Sequence, residues 1–429
     1  MTFFRKKILI VGVLLLFFST SYGQVEGIAY EDKIYADDIH TVTFHLTGFP
    51  LTQPIIDLGA TSTLSLSFDD LGDDLRNIYY TIIHCDADWT PSVLSPLEYI
   101  EGFDENLLET YNFSSNTLTE FTNYQLQLPN DQLIWTKSGN YVLVVYENEG
   151  EKVPLFTRRF MVSDPLVRIN PTLTRPVDVE KARTFQELDF TVFYEELSVR
   201  DPMREIKATV MQNARWDNAI EGIPPFAMYS DKVVYDYQDK ITFPAGKEYR
   251  SVDIRSLLSK SEGILAIEEF DDVYEVTLRP VPVRAFRPYL FFKDINGHFY
   301  IENSFEPRDM ADIRSDYAWV VFSLEKNMPF EDGDVYLFGK MTDWQIQEKF
   351  KLGYSQKLGM YATEAFLKQG FYNYKYAFVP KGKKTKIDLS ELEGDWFETE
   401  NDYTVLVYHR PFGGRYDRLV GAITITSNL

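Results

Sequence analysis

The sequence predicts an all-β chain folded as tandem β-sandwich domains, and three observations carry that reading. Apolar and polar residues alternate with period two in many short runs, helical periodicity is almost absent, and aromatic residues make up 15% of the chain. Alternation of this kind puts apolar side chains on one face of a strand and polar ones on the other. Pleated surfaces also take aromatic side chains readily.

The elements follow in chain order. Arg5, Lys6 and Lys7 precede an apolar run over residues 8–18, and Ser21 and Gly23 supply the small residues of a cleavage site. Residues 1–23 therefore read as a secretory signal peptide cut before Gln24, too short to span a bilayer. The mature chain is expected to be soluble outside the inner membrane, without a lipid anchor because no Cys follows the run. Val42, Phe44 and Leu46 alternate with Thr41, Thr43 and His45, and Leu64, Leu66 and Phe68 with Thr63, Ser65 and Ser67. Tyr141 to Tyr146 is apolar throughout, as in a strand buried on both faces. Tyr274, Val276 and Leu278 form a further alternating set. Turn signals stand at Asn148-Glu149-Gly150, Asn296-Gly297 and Asp332-Gly333. A turn or two of helix is expected over residues 252–258.

Proline-containing stretches over 161–176, 279–288 and 305–309 mark connections, because proline cannot sit in a central strand. They divide the chain into an N-terminal sandwich at 24–164, a second at 165–310 and a C-terminal one at 311–429. Residues 86–120, rich in Asp, Ser, Thr and Asn, read as a long inserted loop, and such loops are usually functional. This one is the expected partner-facing element.

Charge and cysteine content narrow the function. Sixty-five acidic against 43 basic residues give a net charge of −22, which repels phosphate backbones and argues against nucleic-acid binding. The basic cluster Lys381, Lys383, Lys384 and Lys386 reads as a solvated loop. Cys85 is the only cysteine, so no internal disulfide forms, and it reads as a small buried apolar residue.

The search for chemistry yields no catalytic, cofactor-binding or metal site. No His-Glu-x-x-His, Gly-x-Ser-x-Gly or phosphate-cradling loop occurs among the sequence motifs. His40 and His45, an odd number apart, are expected on opposite strand faces. In His84-Cys85-Asp86 the histidine and aspartate share a face and the cysteine points away, so a structural histidine is expected. Asp69, Asp70, Asp73 and Asp74 read as an exposed acidic loop, and Asp294-Ile295-Asn296-Gly297 as a turn. The expectation is a protein that catalyses nothing.

Two resemblances add to this. Val335-Tyr336-Leu337-Phe338-Gly339 leads to Trp344, and Leu367-Lys368-Gln369-Gly370 leads to Tyr372-Asn373-Tyr374-Lys375-Tyr376. This resembles the early-set immunoglobulin-like domain of glycogen-binding modules. The resemblance implies Trp344 and Lys375 as sugar contacts, although a second stacking Trp has no counterpart here, and it gives a glucan-binding accessory module as the alternative function. Trp89, Trp216 and Trp344 otherwise read as core anchors. The wider pattern includes Asp86-Ala87-Asp88-Trp89, Tyr99-Ile100-Glu101-Gly102-Phe103, Ser138-Gly139-Asn140-Tyr141 and Gln212-Asn213-Ala214-Arg215-Trp216. It continues with Phe243-Pro244-Ala245-Gly246-Lys247 and Thr399-Glu400-Asn401-Asp402-Tyr403. It resembles the plug protein of the Bacteroidetes type IX secretion system. That resemblance implies a periplasmic protein bound to the large outer-membrane β-barrel translocon, closing its pore when no substrate is exported. It further implies a monomer within a hetero-complex, with no cofactor, no nucleic acid and no membrane span of its own.

Overall fold

The computed structural model describes residues 25–72, 74–148, 151–382 and 387–427. The expected signal peptide, Asp73, the Glu149-Gly150 part of one turn, and Lys383, Lys384 and Lys386 lie outside the described residues. Among the described residues the strands assemble into three sandwiches.

In the first, strands Ile78–Cys85, Gly139–Asn148 and Lys152–Ser163 pair antiparallel, and Ile55–Asp57 adds parallel to the last. The facing sheet runs Ile39–Leu46, Leu64–Asp70, Thr122–Leu128 and Tyr111–Phe113. Alternation dictates the packing. Leu64, Leu66, Phe68, Ile78, Tyr80 and Ile82 point inward to one core, and each fully buried aliphatic side chain contributes about 1.5–3 kcal/mol. The strand Gly139–Asn148 is buried on both faces, as its uninterrupted apolar run predicts. Tyr141, Leu143 and Val145 enter the first core, while Val142, Val144 and Tyr146 face out against Met211, Leu406 and Tyr408 of the second unit.

The second and third units depart from the linear division. Ile206–Gln212 pairs antiparallel with Asp402–His409, from Ile206 opposite His409 to Gln212 opposite Tyr403. Tyr403, Val405, Val407 and Val420 then share a core with Leu188, Phe190, Val192 and Val233. The last two strands, Asp402–His409 and Arg418–Thr426, thus complete the second sandwich. The third core draws on residues from Val252 to Leu392 and sits as an insertion within the second. Proline breaks report where strands end, and they carry no signal for pairing two hundred residues apart. Arg250–Asp253 is a strand on Gly370–Pro380, so the expected helical turns at 252–258 do not form. Tyr372, Tyr374, Tyr376 and Phe378 pack inward against Val320, Phe322 and Leu324.

Buried polar contacts join the units. Asp69 of the first accepts from Lys368 Nζ at 2.5 Å and Tyr317 Oη at 2.6 Å, both of the third. Lys340 meets Asp32 at 3.0 Å, and Arg158 meets Asp343 at 3.2 Å. The Asp316 carboxylate accepts the Leu118 and Thr119 N–H groups at 2.5 and 3.1 Å. Between the first and second units, the Arg159 guanidinium lies 4.2 Å over Trp89 and 5.1 Å over Trp216, which meet edge to face. Trp89 and Trp216 are therefore anchors between units.

Candidate functional site: an interaction surface

The groups singled out for chemistry are held in structural roles. His84 is buried, its Nδ1 2.8 Å from Ser92 Oγ and its Nε2 3.3 Å from the Ser138 carbonyl. The carbonyl fixes the proton on Nε2, so Nδ1 accepts from the serine. Burial lowers its pKa to about 4. Gly139 must lack a side chain here, because a Cβ would stand 2.6 Å from His84 Nε2 at a φ of +146°. Cys85 points into the cluster between units, and burial pushes its thiol up to about 12. A thiol held protonated is a poor nucleophile.

Two expectations need correction. Asp69 and Asp70 are buried strand residues, because each has a cation to satisfy: Lys368 for Asp69, and Arg76 for Asp70 at 2.5 Å. His40 and His45 share a face, because the strand carries a bulge between His40 and Thr43, where Thr41 has a φ of +50°. One extra residue reverses the parity of everything before it. Their partners, Asp69 and Ser65, are four residues apart, roughly 13 Å along a strand, which is too far for one metal ion. Among the described residues no group of three or more His, Cys, Asp or Glu could hold a metal. Asn296 and Gly297 both have positive φ and form a turn as expected.

The sugar-contact residues are enclosed. Trp344 is 5% and Lys375 3% exposed. Trp344 packs with Tyr249, Phe338 and Ala377, and Arg215 of the second unit lies 5.6 Å over its ring. A Cβ at Gly297 would stand 2.3 Å from it. The Lys375 ammonium rests 3.9 Å over Tyr249, and burial lowers its pKa to about 8. A glucan needs an open aromatic platform, and neither residue offers one. The seam between the second and third units has taken both.

The surface offers more. Residues 86–120, expected to be an unstructured loop, contain the helix Pro96–Tyr99 and the short strands Ile100–Gly102, Asn106–Leu107 and Tyr111–Phe113. Glu98 closes the helix start by accepting the Ser95 N–H at 2.9 Å. Residues 86–103 of this segment are fastened to the turn between the last two strands. Arg415 reaches Glu98 at 2.7 Å and the Val93 carbonyl at 3.1 Å, and Arg410 pairs with Asp86 at 2.6 Å and Asp417 at 2.9 Å. The apolar side chains of residues 86–103 that face solvent are Val93, Leu97 (91% exposed) and Phe103, and Phe412 (87%) is exposed on the turn that Arg415 and Arg410 tie to this segment. Exposed apolar side chains on neighbouring segments make this the candidate interaction surface. The sequence marked the loop but missed Phe412, Arg410 and Arg415, whose one local hint is an aromatic beside the Gly413-Gly414 turn.

Comparison with known proteins agrees with this architecture. The first domain of the type 9 secretion system plug protein matches residues 39–164. A crystal structure of a hypothetical protein from Parabacteroides merdae ATCC 43184 superposes with a TM-score of 0.88 and 33% identity, covering 93% of this chain and 100% of that one. Salmonella α2-macroglobulin reacted with methylamine overlaps at a TM-score of 0.17 and 8% identity, covering 92% of this chain and 24% of that one, and supports nothing. No curated protein matches. An all-β chain of three joined sandwiches, with the plug-type first domain among them, belongs to the type 9 secretion system plug protein family.

Proposed function

We propose that this chain is a periplasmic, non-catalytic plug that binds the large outer-membrane β-barrel translocon of type IX secretion and occludes its pore when no substrate is engaged. The observation that carries the reading is the match of residues 39–164 to the first domain of the type 9 secretion system plug protein, and the exposed side chains Val93, Leu97 and Phe412, on segments tied by the Arg415–Glu98 and Arg410–Asp86 pairs, support it. A stopper must present a broad face without deforming under it. Specific interfaces bury on the order of 800 Å² per partner, and the buried pairs between units hold the units that would present such a face in one geometry. The acidic exterior favours solubility and a releasable, partly polar contact over irreversible adhesion.

The test is affinity recovery from gently solubilised outer membranes with tagged mature chain as bait. One very large β-barrel protein in near-equal amount is the expected result, reduced about tenfold or more by L97E/F412E at unchanged melting temperature. Recovery of no barrel protein would overturn the proposal.

A further inference from the structure

A second apolar surface lies on the third unit, in the chain that follows the strand pair Val281–Pro282 with Leu324–Glu325. From Arg279 to Lys293 the chain has four basic residues and no acidic one, within a protein of net charge −22. In this stretch Phe286 is 97% exposed, and Leu290, Phe291 and Phe292 are exposed with it, beside the exposed cations Arg287 and Lys293.

This loop is built and held. The Lys247 ammonium donates to the carbonyls of Arg284, Ala285 and Arg287 at 2.9, 3.3 and 2.8 Å. The Arg284 and Ala285 N–H groups donate to the Leu392 carbonyl at 3.0 and 3.1 Å. Arg284 also binds the buried Glu393 carboxylate at 2.5 Å and the Glu248 carbonyl. Tyr289 donates to Glu248 at 2.6 Å and stacks on Trp396 with ring centres 5.7 Å apart. A buried ammonium spent on three carbonyls of one loop fixes its backbone, and the fixed backbone holds the apolar side chains out in water.

We infer that residues 286–293 are a second docking point for a protein partner whose contact face is apolar and rimmed with carboxylates. Charge selects the partner's chemistry: an anionic face is repelled by most of this acidic protein and accepted at Arg287 and Lys293. Fixed geometry selects a protein over a lipid surface. Preorganised aromatic side chains save ordering cost only where shaped sockets receive them, and a fluid headgroup layer has none. Placement selects the same partner as the first surface. Trp396 and the turn bearing Phe412 lie beyond opposite ends of the strand Asp402–His409, whose eight residues span roughly 26 Å. A stopper held at two separated points cannot rock about either. The inference rests on the plug reading.

The test places a photo-crosslinking amino acid at Phe291 and, separately, makes F286E/F291E, with F305E as a control at an exposed site away from the loop. In outer membranes, crosslinking of residue 291 to the barrel protein recovered by the wild type is expected, with recovery of that protein by F286E/F291E reduced about tenfold or more and F305E unchanged. Wild-type recovery of the barrel, with no crosslink and undiminished recovery by F286E/F291E, would overturn this inference and leave the plug reading standing. Failure of the wild type to recover any barrel would overturn both. Binding of the purified chain to phosphatidylglycerol vesicles, lost in F286E/F291E without any barrel crosslink, would assign the loop to lipid and refute a protein partner.

Discussion

Lys368→Met should loosen the first unit from the third. Lys368 Nζ reaches Asp69 at 2.5 Å and the Asp312 carbonyl at 2.5 Å, and it lies 4.1 Å from the Phe121 ring centre. Asp69 is fully buried and also accepts from Tyr317 at 2.6 Å and Asn123 at 2.8 Å. Removing the ammonium leaves a carboxylate with two neutral donors and no counter-charge. Breaking a buried pair in this way costs about 3–5 kcal/mol. A chain of several joined units need not unfold in one step, so the assay is a melting profile with hydrogen exchange locating the loosened segment. At about 2–4 °C per kcal/mol, the affected transition should fall by roughly 10 °C, with exchange rising at 64–70 and 317–325. D69N/K368M removes both charges and should recover most of the loss. A K368M protein melting within about 2 °C of wild type, with no gain in the double variant, would refute the reasoning.

Further outcomes follow from the same packing. The Cys85 thiol, pushed up to about 12, should resist a thiol reagent at pH 8 in the folded protein and react at once in denaturant; rapid labelling of the native chain would contradict this. His84 has its pKa lowered to about 4 by burial, so its contribution is present above pH 6.5 and is lost as pH falls toward 4. The loss reaches about 3 kcal/mol, and H84Q should flatten the slope of melting temperature over that window; equal slopes would dismiss it. Trp344→Ala should destabilise by about 3–5 kcal/mol, and neither it nor the wild type should be retained on amylose. Retention of the wild type would reopen the sugar reading.

Strand content was legible because alternation is a local property: Leu64, Leu66 and Phe68 declare a buried face with no knowledge of the partner sheet. The doubly buried strand Gly139–Asn148 was legible too, although nothing in it says that its outer face meets Met211 and Leu406. Domain order was illegible where it depends on the pairing of Ile206–Gln212 with Asp402–His409, which no short-range pattern encodes. The facing of His40 was misjudged because one bulged residue at Thr41 reverses parity. Trp344 and Lys375 matched a motif, but their access depends on Arg215 and Tyr249 from outside it. The candidate surface was half legible. The polar 86–120 segment stood out by length, while the turn bearing Phe412 is tied to it through Arg415–Glu98 and Arg410–Asp86, pairs far apart in sequence.

The most direct test of the central claim is conductance of the purified translocon barrel in a planar bilayer, recorded before and after adding the mature chain to the periplasmic side. Occlusion predicts large, steady ion current from the bare barrel and its stoichiometric loss on addition of wild type, with weaker block by L97E/F412E. An open barrel whose current is unchanged at saturating wild-type chain would contradict the account.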